Sequence, residues 1–373
     1  MKLSSPVRQL GLAAIAFVLV AACGGTSSAP ASCSAKTATS VADCGGIDSL
    51  YAAAKAEGAL NVIALPLDWA NWGEIIPAFK AKYPGIKVNS ANPQGSSQEE
   101  IDAINQLAGT KDAPDVVDVG MKVMLANTQL FAPYKVATWS DIPAAQKEAS
   151  GVWFQDYGGY MGIGYDPTKV PGGTLNSISD LLGSGFKSKV ALAGDPTISN
   201  QALNGVIMIA VANGGSLDDV AKGVDFFKSL KAAGNFVPVK GTIATIKSGQ
   251  TPVLVEWDYL SAAHVKDVPG WKIFVPANAT IGGYYAQGIS KGAPHPAAAR
   301  LWEEFLYSDQ GQNLFLKGYA RPVRMDAMVK SGRVDATAAA ALPKVSGTPL
   351  FPSQAQSAAA SAYLSSKWAQ AIA

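Results

Sequence analysis

Short apolar runs alternate with amphipathic helical patterns along most of the chain. The run at 60–65 precedes a helical pattern at 74–83, and the run at 86–90 precedes another at 98–107. Short apolar runs between turn residues are typical of buried strands, whereas apolar positions three and four apart indicate helices. The same patterns predict strands at 115–119, 190–193, 253–255 and 271–275, and helices at 47–57, 178–182, 200–213, 218–233, 242–247, 297–307, 310–317, 325–330 and 354–371. Because the connections are short, this order predicts an α/β fold with parallel, doubly wound sheets.

A glycine-rich segment at 151–166 interrupts this alternation. We interpret it as a pair of extended segments that cross between two domains, with the glycines absorbing a hinge motion. The segment at 284–290 is predicted to be the return crossing. The helices after 297 have amphipathic faces suited to packing on the first sheet.

The stretch from Thr251 to Ala263 carries the clearest candidate chemistry. The predicted strand ends at Val255, and two carboxylates and two aromatic rings follow at once in Glu256–Tyr259. Ligands of open α/β sheets bind beyond the carboxyl ends of the strands. We therefore expect one wall of a small-molecule pocket here. The alternative is a strand end whose acids cap the next helix and whose aromatics belong to the core.

The N-terminus has the features of an export signal. Lys2 and Arg8 flank the start of an apolar run at 10–20, and small residues precede Cys23. This resembles a bacterial lipoprotein signal, which is cut before a cysteine whose sulfur is then lipidated. An ordinary secretory leader is the alternative. The apolar run is shorter than the roughly 20 residues of a membrane span, so we expect a lipid-anchored protein at the outer face of the cytoplasmic membrane, at the cell surface or in the periplasm.

The residues after Cys23 suggest a tether. Gly, Ala, Ser and Thr dominate 24–40, a composition that cannot bury enough apolar surface to fold alone. Cys33 and Cys44 are the remaining cysteines. In an oxidising compartment such a pair is most simply a disulfide, and we expect one between them.

Composition and missing motifs exclude several function classes. The chain has 373 residues, enough for two domains, and 30 basic residues dispersed among 28 acidic ones give a formal charge of +2. This balance predicts no nucleic-acid partner. The sequence has no Gly-x-Ser-x-Gly elbow, phosphate-binding loop, dinucleotide fingerprint or His-Glu-x-x-His. We expect no cofactor, no metal site and no enzyme, although Glu256 and Asp258 could serve as the paired acids of a glycosidase-like enzyme.

The order of these features resembles the extracellular solute-binding proteins of bacterial ABC importers. The resemblance covers nearly the whole mature chain, and its sharpest local features are Asp68–Trp72, 194–200, Glu256–Tyr259 and 293–306. The last run is similar to the post-hinge helix of the subgroup that takes up putrescine, spermidine, ferric iron and phosphonates. The resemblance implies a two-lobed periplasmic-binding-protein-like fold, with doubly wound sheets joined by two hinge crossings and a helical C-terminus.

The resemblance also implies a domain plan and partners. The plan is a signal peptide at 1–22, a lipid-anchored tether at 23–46, lobe 1 at 47–157 and 279–373, and lobe 2 at 158–278. The protein would act as a monomer that captures a small solute between the lobes and delivers it to a membrane permease.

The ligand site follows from the same resemblance. Polyamine-binding members hold ammonium groups with aromatic rings and carboxylates. The candidate ligand-binding residues are Asp68, Trp69, Trp72, Ser96, Ser97, Tyr157, Asp195, Thr197, Glu256, Trp257, Asp258, Tyr259, Tyr284 and Tyr285. If Asp258 pairs with an amine ligand, Asp258→Asn should weaken binding. Arg321 and Arg324 could also pass near the cleft, although a surface role or a structural salt bridge is favoured for each.

Other solutes stay open. Ser96, Ser97 and Thr197 precede helices, where hydroxyls and free backbone N–H groups bind phosphonates and organophosphates, but ordinary N-caps have the same residues. An aminophosphonate would use both the acids and the hydroxyls. Ferric-iron members carry adjacent tyrosines near the position of Tyr259, and the Tyr284-Tyr285 pair departs from that pattern. A structural surface lipoprotein is the remaining alternative.

Overall fold

The first part of the fold is a series of alternating strands and helices. The computed structural model describes residues 33–373, so the predicted signal peptide and residues 23–32 of the predicted tether, including Cys23, lie outside the described residues. The series consists of α1 (Ile47–Glu57), β1 (Ala59–Ile63), α2 (Trp72–Lys82), β2 (Lys87–Ala91), α3 (Ser97–Gln106), β3 (Val116–Gly120), α4 (Met121–Ala126) and β4 (Phe131–Ala132). Cys33 and Cys44 are joined by a disulfide just before this series, with an S–S distance of 2.08 Å.

The rest of the chain adds a second set of strands and a helical C-terminus. The central elements are β5 (Phe154–Tyr165), β6 (Val190–Leu192), α5 (Asn200–Ala212), α6 (Ala221–Ala232), β7 (Phe236–Lys240), α7 (Ile243–Lys247), β8 (Val253–Trp257), α8 (Asp258–Ala263) and β9 (Lys272–Phe274). The C-terminal elements are β10 (Gly282–Ser290), α9 (Pro296–Leu306), α10 (Asp309–Lys317), β11 (Arg321–Pro322), α11 (Met325–Lys330), α12 (Ala336–Ala340) and α13 (Gln354–Ile372). The predicted alternation of strands and helices is therefore present.

The sheets are mixed, so the prediction of parallel pairing is confirmed for some strands and wrong for others. β1 pairs with β2 in parallel, and β6 lies parallel to both β7 and β8. β10 is antiparallel to β3 and to β5, and β5 is antiparallel to β8. The order along the main sheet is β3-β10-β5-β8-β6-β7. The two strands that enter from distant parts of the chain, β5 and β10, create the antiparallel pairs.

Strand β5 joins two regions of sheet. Its first part pairs with β10 and β11, and its last part, Met161–Tyr165, pairs with β8 and β9. We call β1–β4, β10, β11 and the first part of β5 the first region, and β6–β9 with the last part of β5 the second region. The predicted pair of extended segments is thus a single 12-residue strand, because its hydrogen bonding continues on changing partners.

Close packing accounts for the glycines of β5. Gly158, Gly159 and Gly164 have no positive φ. A Cβ atom on Gly159 would overlap the Asp258 carboxylate, and one on Gly164 would lie 2.6 Å from the indole nitrogen of Trp271. These glycines allow neighbouring side chains to approach the strand. This role differs from the predicted one, which was to provide conformational freedom for a hinge motion.

The C-terminal helices pack on both regions. α9 lies against α1 and β10 of the first region, as predicted. The final helix α13 instead packs mainly on α6, where the Trp368 ring lies 5.1 Å from Phe227 and 6.2 Å from Phe236. No helix within residues 33–373 is long and apolar enough to cross a membrane.

Candidate ligand-binding site

A cavity of about 420 Å³ lies between the first and second regions. The first region contributes the loop after β1, the start of α3 and Asp118 in β3, and the second contributes the segment from Ala193 to Gln201, the start of α7 and Glu256 in β8. The strands point their carboxyl ends at this space, where α/β proteins commonly bind ligands. The cavity brings together the predicted site residues Asp68, Trp69, Ser96, Ser97, Asp195, Thr197, Glu256 and Tyr285.

Aromatic rings form one wall of the cavity. Trp69 and Tyr285 line it, with ring centroids 5.7 Å apart in an edge-to-face arrangement. Tyr157 stacks behind Tyr285 at 5.7 Å, and Tyr259 lies 6.0 Å from Trp69. The wall is therefore backed by packed rings.

A chain of hydrogen bonds links this wall to a buried acid. Trp69 Nε1 donates to the hydroxyl of Tyr157 at 2.8 Å, and that hydroxyl donates to Asp118 Oδ2 at 2.8 Å. Burial raises the pKa of Tyr157 well above its usual value, so the phenol stays a neutral donor. The position of the Trp69 ring is thereby tied to the carboxylate of Asp118.

Asp118 and Glu100 form the acidic floor of the cavity. Glu100 accepts a hydrogen bond from the backbone N–H of Asp118 at 3.0 Å. Burial raises the pKa of both carboxyls, and the charges of Asp156 and Glu100 raise the pKa of Asp118 further. Asp156 behind them has its pKa raised to about 7 by burial.

Sequence reasoning missed Asp118 and Glu100. Both lie among apolar neighbours, Asp118 inside a buried strand and Glu100 beside Ile101 on α3. Acids are rarely buried without a partner. Two acids at predicted core positions were therefore the signal in the sequence that could have identified them as site residues.

Glu256 faces the cavity together with His264. The imidazole Nε2 lies 3.1 Å and 3.2 Å from the two carboxylate oxygens of Glu256. Burial alone would lower the pKa of His264, but the charge of Glu256 and its hydrogen bond outweigh burial and raise it. Glu256 therefore has its own partner within the protein, and the pair favours the protonated imidazole. The predicted strand end at Val255 was wrong, because β8 continues to Trp257.

The hydroxyl groups at the cavity belong to helix caps and turns. Ser96 and Glu99 form a capping box at the start of α3, and Ser97 Oγ accepts from the backbone N–H of Gly120 at 3.0 Å. Asp195 Oδ1 accepts from the backbone N–H and hydroxyl of Thr197 at 2.9 Å and 2.8 Å. These are the contacts of ordinary caps and Asx turns.

The remaining predicted site residues lie outside the lining of the cavity. Trp72 is in the core, stacked on Trp302 at 5.9 Å. Trp257 stacks on Tyr259 at 6.3 Å, and Tyr284 lies 6.3 Å from Phe351. The residues that do not line the cavity are Trp72, Tyr157, Trp257, Asp258, Tyr259 and Tyr284. Tyr157 and Tyr259 act from behind the wall.

Asp258 is held in a structural ion pair. Its Oδ2 lies 2.6 Å from Nη1 of Arg321, and its Oδ1 accepts from the backbone N–H of Tyr160 at 2.9 Å. Arg324 is likewise paired with Asp141 at 2.6 Å and Asp309 at 3.0 Å. The favoured structural role of both arginines is present in the structure. Asp258 joins β5, α8 and β11 without facing the cavity.

We expect Asp258→Asn to lower the free energy of unfolding by about 2 kcal/mol, because a buried hydrogen bond between charged groups is lost. Ligand affinity should change little, in contrast to the effect predicted from the sequence. Urea unfolding measures the stability. The control is Asp112→Asn, whose exposed pair with Lys111 should contribute less than about 1 kcal/mol. Equal stability of the two variants would contradict a structural role for Asp258.

No group of three or more His, Cys, Asp or Glu residues between 33 and 373 is arranged to hold a metal ion. Tyr284 and Tyr285 have different surroundings, because Tyr284 lies beside Phe351 and Tyr285 lies beside Trp69.

Known proteins share this fold. A substrate-binding protein of an ABC transporter from Agrobacterium tumefaciens is 16% identical, with a TM-score of 0.65 over 84% of this chain and 94% of that chain. Iron-bound HitA from Pseudomonas aeruginosa is 18% identical, with a TM-score of 0.60 over 83% and 98% of the two chains. A Listeria monocytogenes protein provisionally assigned as a spermidine/putrescine ABC transporter is 12% identical, with a TM-score of 0.64 over 84% and 98%.

These similarities confirm the predicted periplasmic-binding-protein-like fold. A family model for bacterial extracellular solute-binding proteins matches residues 111–344, which is more than half of the chain. The chain therefore belongs to the family of bacterial extracellular solute-binding proteins.

Proposed function

We propose that this chain is the solute-binding component of an ABC importer and that its solute is a small molecule with amine groups, such as a polyamine. The observation that carries the proposal is the lining of the cavity, which combines an aromatic wall with an excess of carboxylates. The acids are Asp68, Glu99, Glu100, Asp118, Asp195 and Glu256, against the basic residues Lys122, Lys240 and His264.

Ammonium groups suit this lining for physical reasons. The faces of Trp69 and Tyr285 attract cations by about 0.5–2 kcal/mol when water is excluded. Carboxylates add charge-assisted hydrogen bonds. An anion would instead approach the acidic floor formed by Asp118 and Glu100, where repulsion opposes it.

An aminophosphonate is the second candidate. Lys122 and Lys240 line the cavity beside Ser96 and Ser97. Lys122 Nζ donates to Ser361 Oγ at 2.6 Å, and burial lowers its pKa. An anionic group at these lysines, with an amine at the acids, would fit the same cavity.

Transport gives the cavity its role. The solute would stabilise a closed arrangement of the lobes, with motion about the crossings near 158–164 and 277–283, and the permease would receive it. A protein of this family acts outside the cytoplasm, and the proposed lipid on Cys23 would hold it at the membrane as a monomer. Lobe 1 would comprise 47–157 and 279–373, and lobe 2 would comprise 158–278.

We expect putrescine or spermidine to raise the melting temperature of the purified protein. A ligand at about 100 times its Kd stabilises the native state by about 2.7 kcal/mol. The panel should include 2-aminoethylphosphonate, inorganic phosphate and ferric citrate. Butane-1,4-diol is the matched control, since it has the length of putrescine without its charges. Stabilisation by phosphate or ferric citrate, with none by the amines, would contradict the proposal.

A further inference from the structure

Three buried oxygen atoms of residues in the cavity lining have no hydrogen-bond donor among residues 33–373: Asp118 Oδ1, Gln201 Oε1 and Glu256 Oε1. Glu256 Oε1 has the imidazole Nε2 of His264 as a neighbour at 3.1 Å, which leaves Asp118 Oδ1 and Gln201 Oε1. Asp118 is 7% exposed and Gln201 is 5% exposed. Buried polar atoms in folded proteins are nearly always paired, so these two acceptors are available to a donor that a ligand would supply.

The two acceptors come from different regions. Asp118 lies in β3 of the first region, and its other oxygen, Oδ2, accepts from Tyr157. Gln201 is in the first turn of α5, which follows β6 of the second region. A single ligand group that reaches both oxygens would connect the regions across the cavity.

We propose that Asp118 and Gln201 form a subsite for a primary ammonium group of the solute. This deepens the proposed function, on which it rests, by naming the residues and the required chemistry. An alkylammonium group has N–H donors and no acceptor, which matches two free acceptors. Trp69 and Tyr285, in the same lining, would offer their rings to the cation.

The chemistry selects against other groups. A quaternary ammonium has no N–H and would leave both oxygens unpaired. A phosphate or carboxylate brings acceptors toward acceptors and negative charge toward Asp118 and Glu100. The N-terminus of α5 carries only about half a unit of positive charge, which repels a cation. An ionised Asp118 at hydrogen-bond distance attracts the cation with a full unit of charge, and this attraction is larger.

The test measures the Kd of putrescine by titration calorimetry. We expect Asp118→Asn to raise the Kd about 30-fold and Gln201→Leu about 10-fold, in line with the loss of hydrogen bonds to a charged group. Asp102→Asn is the control, since it removes the same charge from α3 at a residue outside the cavity lining.

A second measurement needs no substitution. Wild-type protein should bind putrescine at least 30-fold more tightly than its fully N-methylated analogue, which keeps the charges and lacks every N–H. Equal affinity for the two, or an unchanged Kd in Asp118→Asn, would overturn the subsite while leaving amine binding in place. Failure of putrescine and spermidine to bind wild-type protein would overturn both the subsite and the proposed function.

Discussion

We expect Gly159→Ala to lower the free energy of unfolding by more than about 3 kcal/mol, at the upper end of the costs of overpacking. The new Cβ would overlap the carboxylate of Asp258 and lie 2.6 Å from Cδ1 of Tyr259. Asp258 cannot move away without losing its hydrogen bond from Tyr160 and its ion pair with Arg321. Strand and helix must therefore separate at the junction of the two regions.

Two further glycines provide a graded control in urea unfolding experiments. A Cβ on Gly162 would lie 3.2 Å from its nearest neighbour, Phe274 O, so an intermediate loss is expected for Gly162→Ala. A Cβ on Gly292 would meet only Ser290 Oγ at 3.9 Å. Gly292→Ala should be neutral or slightly stabilising, because alanine restricts the unfolded chain. Equal losses at 159 and 292 would show that close packing is not the reason for glycine in β5.

The local pattern of the sequence determines what could be predicted of the fold. Helix α1 has its predicted bounds, because an apolar stripe is followed by Gly58, whose φ of 77° ends the helix. The partners of a strand do not follow from such local patterns. β5 pairs with β8 and with β10, and β10 lies more than a hundred residues after β5 in the chain. Periodicity contains no information about such pairing, so the antiparallel pairs of β5 and β10 were not predicted.

The candidate site, like the fold, could be predicted only in part from the sequence. Trp69 and Trp72 are three residues apart, yet Trp69 lines the cavity and Trp72, at the start of α2, stacks on Trp302 from a distant helix. Asp258 is acidic and follows a buried strand, but its carboxylate forms an ion pair with Arg321. Residue type and strand position thus predict where polar groups gather. The partner that each group finds depends on packing between segments far apart in sequence.

The buried acids behind Asp118 lead to a pH dependence in the ligand-free protein. Their folded-state pKa values are raised by burial, with that of Asp156 at about 7. A carboxyl whose folded pKa lies above its unfolded value of about 4 stabilises the fold at low pH and loses this contribution as pH rises through the folded pKa. Stability should therefore fall between about pH 4 and pH 7, by about 1.4 kcal/mol per pH unit for each proton involved.

Ligand affinity should change in the opposite direction, rising by up to about tenfold per pH unit for one proton released. An ammonium group beside Asp118 favours the ionised carboxylate, so binding expels a proton that the acids hold at low pH. The amine itself stays charged, because alkylamines have pKa values near 10. The ionisable groups that interact with Asp118 are Glu100 from α3, Asp156 and Tyr157 from β5, Tyr259 from α8, Tyr285 from β10, Glu303 from α9, and Tyr307 after α9. Burial raises the pKa of each tyrosine, so the tyrosines stay neutral and only the carboxyls titrate with Asp118.

Calorimetric titration with putrescine at pH 5, 6, 7 and 8, in two buffers that differ in ionisation enthalpy, measures affinity and proton release together. Glu303→Gln is the informative variant: both oxygens of Glu303 are buried with no hydrogen-bond donor from the described part of the chain, and the residue does not line the cavity. It should flatten the pH dependence of ligand-free stability and keep putrescine binding. Asp118→Asn should abolish proton release. An affinity that stays constant from pH 5 to pH 8 would mean that the cation binds away from these acids. A cation that binds beside Asp118 displaces the proton of its carboxyl, so its affinity must depend on pH.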